Sequence, residues 1–431
     1  MALLALALFA GGPQAQDDDG APSKRSLESL LERARAQERV LLERLAEPVR
    51  LAVRALEEAV RPEEQDAARV ELLALGPESS PLLVAHLAPG DEPTAAQRRR
   101  ATAVGDALRA WGAPGITEQL VQLTLGGDDR ARTQAARVLS HVDEPARARA
   151  VFAELLAGEL QGARLDGARG FAELAERGDA ESIPPLRALL FETSALLLTV
   201  SLDGLAAVSD AEAEPDVRRL VADPARAVLL TPQLETYYTA IGDADRAPVC
   251  IALAKAAAAE GLETDSVRTL LGLIARLEPP RPRELVDALE VLVERPEPEI
   301  QDEGRICLAL LGDRGARRAL IRKYDDWVES RETWSSAYRD RARIAMRIRE
   351  YADAAKDLET AIDLTRSRNE GRISDLYVEL ARARCLDGKL RRANEALGKA
   401  YLSKQRLQQL AADPDFQALA EHSRYGRIFG D

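Results

Sequence analysis

The side chains in this chain that could do chemistry are few and scattered. Its three histidines, His86, His141 and His422, lie far apart, and none is followed directly by Glu. No His-Glu pair is therefore present, and the histidines read as surface or helix-end residues. Cys250, Cys307 and Cys385 are an odd number, widely spaced, each inside an apolar helical pattern. They read as buried free thiols rather than zinc ligands or disulfide partners. The chain has no phosphate-binding Gly loop, dinucleotide Gly pattern, nucleophile elbow or His-Glu-x-x-His. Acids are so abundant that two carboxylates at catalytic spacing carry no information. No catalytic, cofactor-binding or metal-binding residue is assigned, no cofactor is expected, and the chain is expected not to be an enzyme. One basic line stands out: Arg339, Arg343 and Arg347 are four apart and share one helix face. Guanidinium groups so placed can grip carboxylates with two parallel bonds. The competing reading is that Asp340, Glu350 and Glu379 neutralise them within the helix.

The three tryptophans are the other candidates, as anchors for a partner. Trp111 closes a helical pattern and is expected in the core. Trp327 and Trp334 fall in "KYDDWVESRETWSSAY" and are expected to pack two repeat arrays against each other.

The elements that position these residues are helical. Of 431 residues, 46% are hydrophobic but only 4% aromatic, with 2 Met, so the core must be built from Ala, Leu, Val and Ile, which suits closely packed helices. The formal charge of -13 argues against nucleic acid as the main partner. The last 101 residues hold 20 Lys and Arg against 16 Asp and Glu, a net +4, which leaves -17 on the rest.

Apolar stretches end repeatedly in a Gly or Asp turn: Leu75-Gly76, Trp111-Gly112, Val142-Asp143, Arg177-Gly178, Ser209-Asp210, Ile241-Gly242 and Leu311-Gly312. Successive turns are 31 to 36 residues apart, and the last interval is double, with a break near Glu278. Proline follows most turns at Pro81, Pro145, Pro184, Pro215, Pro248 and Pro282, where its preset backbone angle starts a second helix. Each unit is thus helix, turn, helix. Stretches such as "ARVELLALGPESSPLLVAHL" and "ARGFAELAERGDAESIPPLRALL" resemble the short HEAT repeats of the phycobilin-lyase group, over residues 64–322. That resemblance implies an α-solenoid and specifies no activity.

Further on, "SAYRDRARIAMRIREYADAAKDLETAIDL" and "DLYVELARARCLDGKLRRANEALGKAYL" resemble a pair of tetratricopeptide repeats over residues 323–431. "LQQLAADPDFQALAEHSRYGRIF" then resembles the closing helices of such arrays. In tetratricopeptide pairs the first helix of each unit lines a concave groove. The resemblance therefore sets Arg382 beside Arg339, Arg343 and Arg347 as candidate protein-binding residues for acidic peptide segments.

At the start, the apolar run Ala2 to Ala10 and the small residue Ala15 read as a signal peptide over residues 1–15, followed by an acidic linker over 16–25 and a helical cap over 26–63. No other apolar run is long enough to span a membrane. The expected fold is all-α: HEAT-like helix pairs followed by tetratricopeptide helix pairs. The expected function is a non-catalytic scaffold or adaptor for other proteins, periplasmic or secreted. The alternatives are a cytoplasmic location and a bilin-lyase-like or cofactor-chaperoning subunit.

Overall fold

The computed structural model describes residues 24–89, 92–242, 246–368 and 373–430. The expected signal peptide and most of the expected linker lie outside the described residues. Among those that are described, every regular element is a helix, so the all-α solenoid expectation holds. They pack as two compact units that divide at Val217 and Arg218.

In the first unit, helix Lys24–Glu58 continues through Pro48 and packs on Pro62–Ala74 and Ala95–Ala110. Helices Ala95–Ala110, Asp129–Leu139, Gln161–Glu176 and Ala195–Ala207 then stack in succession as one layer. Thr117–Gly126 and Pro145–Ala157 pack together in a second layer. Leu108, Ile116, Leu120, Leu139, Phe152 and Leu202 are fully buried between the layers. Each such side chain withdrawn from water contributes roughly 1.5 to 3 kcal/mol. The layers touch closely where the Phe152 ring faces Gly170: a Cβ built there would lie 2.5 Å from it.

The turns fall at the residues expected. At the end of Gln161–Glu176 the amide of Asp179 donates to the Leu174 carbonyl at 3.0 Å and that of Gly178 to Ala175 at 2.9 Å. This pairing satisfies the last helical carbonyls, but it needs a left-handed residue, which glycine adopts without a Cβ clash; Gly178 has φ +94°. Ser209, Glu278 and Arg349 take the same left-handed position without being glycine. The turn at Val142-Asp143 closes without a left-handed residue. Pro145, Pro184 and Pro248 each sit in the first two positions of the following helix.

In the second unit Thr231–Ala240, Thr264–Leu277 and Pro298–Leu310 form one layer, with Ala247–Ala257 and Arg283–Val293 packed together beside it. Arg314–Glu329, Ser335–Arg347, Tyr351–Arg368, Ile373–Leu386 and Leu390–Ala400 follow, each packed on the next. Small residues at the crossings, Ala342, Ala354, Ala361, Ala381 and Ala393, are almost wholly buried. Phe416 of the Asp-Pro-Asp-Phe stretch closes this core, fully buried with Leu410 and Leu419.

Candidate protein-docking groove in the second unit

Three helices of the second unit surround an open groove of about 800 Å³: Pro298–Leu310, Arg314–Glu329 and Ser335–Arg347. Their placement follows from local sequence. Pro298 opens the first helix, and Gly312, left-handed at φ +86°, ends it. Asp313 then caps the second, its carboxylate accepting the Ala316 amide at 2.8 Å. Ile306, Ala309, Leu320 and Ile348 pack beneath and fix the angle of the three helices.

Trp327 stands on the groove wall, 41% exposed. Trp334 is 55% exposed, and Arg331 stacks on Trp327 with its guanidinium carbon 3.5 Å from the ring centroid and 5.9 Å from that of Trp334. The expectation that both tryptophans are junction packing is corrected here. A cation lying on a ring face holds the indole in place while leaving much of it in water. Trp111 is half-buried at the end of Ala95–Ala110.

The arginine line is real, and every member is engaged inside the chain. Glu379, from Ile373–Leu386, accepts from Arg339 Nη2 at 2.6 Å and from Arg339 Nε at 3.0 Å, and lies 3.4 Å from Arg343 Nη2. Burial alone would raise the Glu379 pKa; the Arg339 bonds and the Arg343 charge overcome it, and the net shift is downward. Arg343 also stands 4.0 Å from Asp340. Arg347 donates from Nη1 to Glu303 Oε1 at 2.8 Å, with its Nη2 on the other carboxylate oxygen. Glu303 is buried, and these bonds raise the Arg347 pKa against the effect of burial. Arg382 does not face this groove: it holds Asp413 at 2.5 Å and Asp415 at 3.1 Å and lies over the Phe416 ring. It ties down the closing segment of the chain.

The structure therefore brings Arg343 and Arg347 to one groove, sets Arg339 against Glu379, and places Arg382 at the terminal closure. Of the neutralising acids expected from sequence, Glu379 and Asp340 act as such, while Glu350 bonds Arg317 at 2.7 Å instead. Glu303, Asp413 and Asp415 were not legible as partners, since they lie outside the two tetratricopeptide-like units whose alignment relates the arginines, in the helix Pro298–Leu310 and in the closing segment. Glu379 was within reach of sequence reasoning, because it follows Arg339 by 40 residues, about one repeat.

The remaining groove residues sort by charge. Lys323 is tied to Asp302 at 2.5 Å, and Tyr324 donates to the same carboxylate at 3.1 Å. Burial and the Asp302 charge raise the Tyr324 pKa, so the phenol stays neutral. Cys307, buried in the adjoining core, has its pKa pushed up to about 12 by burial. Among the described residues, no group of three His, Cys, Asp or Glu is placed to hold a metal ion, and no helix is long and apolar enough to cross a membrane.

No protein-family model matches the chain, and no curated protein matches it. Among solved structures it is similar to the karyopherin Kap121p bound to the extreme C-terminus of the protein phosphatase Cdc14p, at 13% identity and a TM-score of 0.43, over 96% of this chain and 55% of that one. It is likewise similar to Kap121p alone, at 14% identity and 0.40 over 94% and 51%, and to Kap121p bound to Pho4p, at 14% and 0.42 over 96% and 52%. The chain spans about half the length of these structures.

Proposed function

We propose that this protein is a non-catalytic scaffold that holds other proteins, with the Trp327 groove of the second unit as one docking surface. The carrying observation is an aromatic side chain held in a fixed pose yet 41% exposed, on the wall of an open groove of about 800 Å³. Large amphipathic side chains left wet in this way are the usual anchors of protein interfaces, where burying the ring supplies most of the binding energy. An open groove between helices offers length of contact rather than the enclosure that small-molecule chemistry needs.

The same reading takes helix pairs Ser335–Arg347 with Tyr351–Arg368, and Ile373–Leu386 with Leu390–Ala400, as tetratricopeptide units. The buried small residues at their crossings support it. It takes the preceding repeats as short HEAT units of the phycobilin-lyase kind. Export to the cell envelope belongs to the proposal through the Ala2 to Ala10 run and Ala15. N-terminal sequencing of the native protein tests that part, and an intact Met1 in a cytosolic fraction would end it.

The scaffold reading is tested by a photo-crosslinking amino acid placed at Ser330 in cells, with Glu71, exposed on the first unit, as the control position. Discrete protein adducts at Ser330 that disappear in Trp327→Ala are expected. Adducts that are identical at both positions, or that ignore the Trp327 change, would refute the reading.

A further inference from the structure

The groove's charges, once the internal pairs are set aside, have the opposite sign to that of the arginine line. Its three cations are occupied: Lys323 by Asp302, Arg347 by Glu303, and Arg343 by Glu379 with Asp340 at longer range. Two wall carboxylates, Glu299 and Asp326, are exposed and have no cation within ion-pair distance among the described residues. Asp340 has only the 4.0 Å approach of Arg343. These three line the groove together with Trp327 and the apolar Pro298 and Ile344.

We infer that the groove takes a segment of a partner protein carrying Lys or Arg on either side of an apolar side chain. The inference rests on the scaffold reading and names the partner's chemistry. The apolar side chain would lie against Trp327 and Ile344, and the flanking cations would meet Glu299, Asp326 and Asp340. An acidic segment would instead have to displace Glu379 and Glu303 from arginines they already bond. That exchange replaces a preformed charge pair by another of the same kind and gains little. A basic segment meets Glu299 and Asp326, which give up only water, and Asp340, which gives up no more than its 4.0 Å approach to Arg343. Arg331 on the neighbouring ring face shows that this indole accepts a guanidinium.

The test uses the full chain and two fluorescein-labelled hexapeptides, Lys-Leu-Arg-Leu-Leu-Lys and Glu-Leu-Glu-Leu-Leu-Glu, read by anisotropy. The chain's net charge of -13 attracts any cation, so two triple variants are compared. One carries Glu299→Gln, Asp326→Asn and Asp340→Asn in the groove. The other carries Glu63→Gln, Asp66→Asn and Glu71→Gln on the first unit, with the same change of charge. The basic peptide is expected to bind the parent. The groove variant should lose about ten-fold, from three exposed charge contacts, while the first-unit variant loses about two-fold or less. Trp327→Ala should weaken binding without changing its salt dependence. Equal losses in the two triple variants would overturn the inference, as would preference for the acidic peptide. If neither peptide binds while crosslinking at Ser330 still returns Trp327-dependent adducts, the partner chemistry is wrong and the scaffold reading stands. If the adducts fail as well, both fall.

Discussion

Changing Asp166 to Ala should destabilise the first unit by about 3 kcal/mol. Asp166 lies in Gln161–Glu176 with its side chain 4% exposed, and it accepts from Arg132 Nε at 2.9 Å; the Arg132 side chain is itself only 8% exposed. Thr133 Oγ1 donates to the same carboxylate oxygen at 3.0 Å. Burial works against the charge on Arg132, but the bonds to Asp129 and Asp166 outweigh it and raise its pKa. Removing one partner of such a buried pair strands the other and costs about 3 to 5 kcal/mol. Two effects reduce this. Asp129, 2.7 Å from Arg132 and 84% exposed, remains, and Ala is the better helix former by roughly 0.5 kcal/mol. For a unit of roughly 200 residues, about 3 kcal/mol lowers the melting temperature by about 6 to 12 °C. Calorimetry of the full chain would show one transition shifted, and hydrogen exchange would locate the loss in residues 129–176. Arg132→Met combined with Asp166→Leu should recover most of the loss, because an apolar pair of similar size has no stranded charge. A single variant melting within about 2 °C of the parent, or a double variant worse than the single, would refute the reasoning.

Other consequences can be checked as simply. Gly170→Ala should destabilise by about 1 to 3 kcal/mol despite better helix propensity, because the new Cβ meets the Phe152 ring at 2.5 Å. Gly398→Ala, with nothing within 4 Å, should stabilise by about 0.5 to 1 kcal/mol in the same denaturation assay. Burial, helped by the Arg177 charge, lowers the His141 pKa. The unfolded chain therefore binds that proton more readily, and the contribution is complete above about pH 6.5 and declines as pH falls through the folded value. Melting temperatures at pH 7.5 and 5.5 should differ less in His141→Gln than in the parent. An unchanged difference would count against this. Cys307 and Cys385, whose thiols are held up to about 12 by burial, should resist Ellman's reagent at pH 8 until the chain is unfolded, and rapid native labelling of either would contradict their placement.

The fold was legible because its determinants are local. A left-handed residue ends a helix, a proline starts the next, and an apolar face of period 3.6 has to be covered, whatever lies elsewhere in the chain. Gly76, Gly178 and Gly312 could thus be read as turns from their neighbours alone. Arg349, left-handed without being glycine, shows the limit of that reading, since a non-glycine residue tolerates the strained angle when both flanking helices are packed.

The candidate site was legible only in part, because charge pairing is decided across repeats. The four-residue spacing of Arg339, Arg343 and Arg347 places them on one face. What each guanidinium meets depends on how the adjacent helices stack, and a shift of one position would exchange partners. Packing brought Glu303 under Arg347 and Glu379 against Arg339, sent Arg382 to the closing segment, and left Trp327 part-exposed in a groove with Glu299 and Asp326, which have no cation within ion-pair distance among the described residues. Sequence alone determined where helices begin and end, because capping and burial act over a few residues. Tertiary structure decided which charges remain free, because an ion pair forms only where two distant helices bring its partners within about 4 Å.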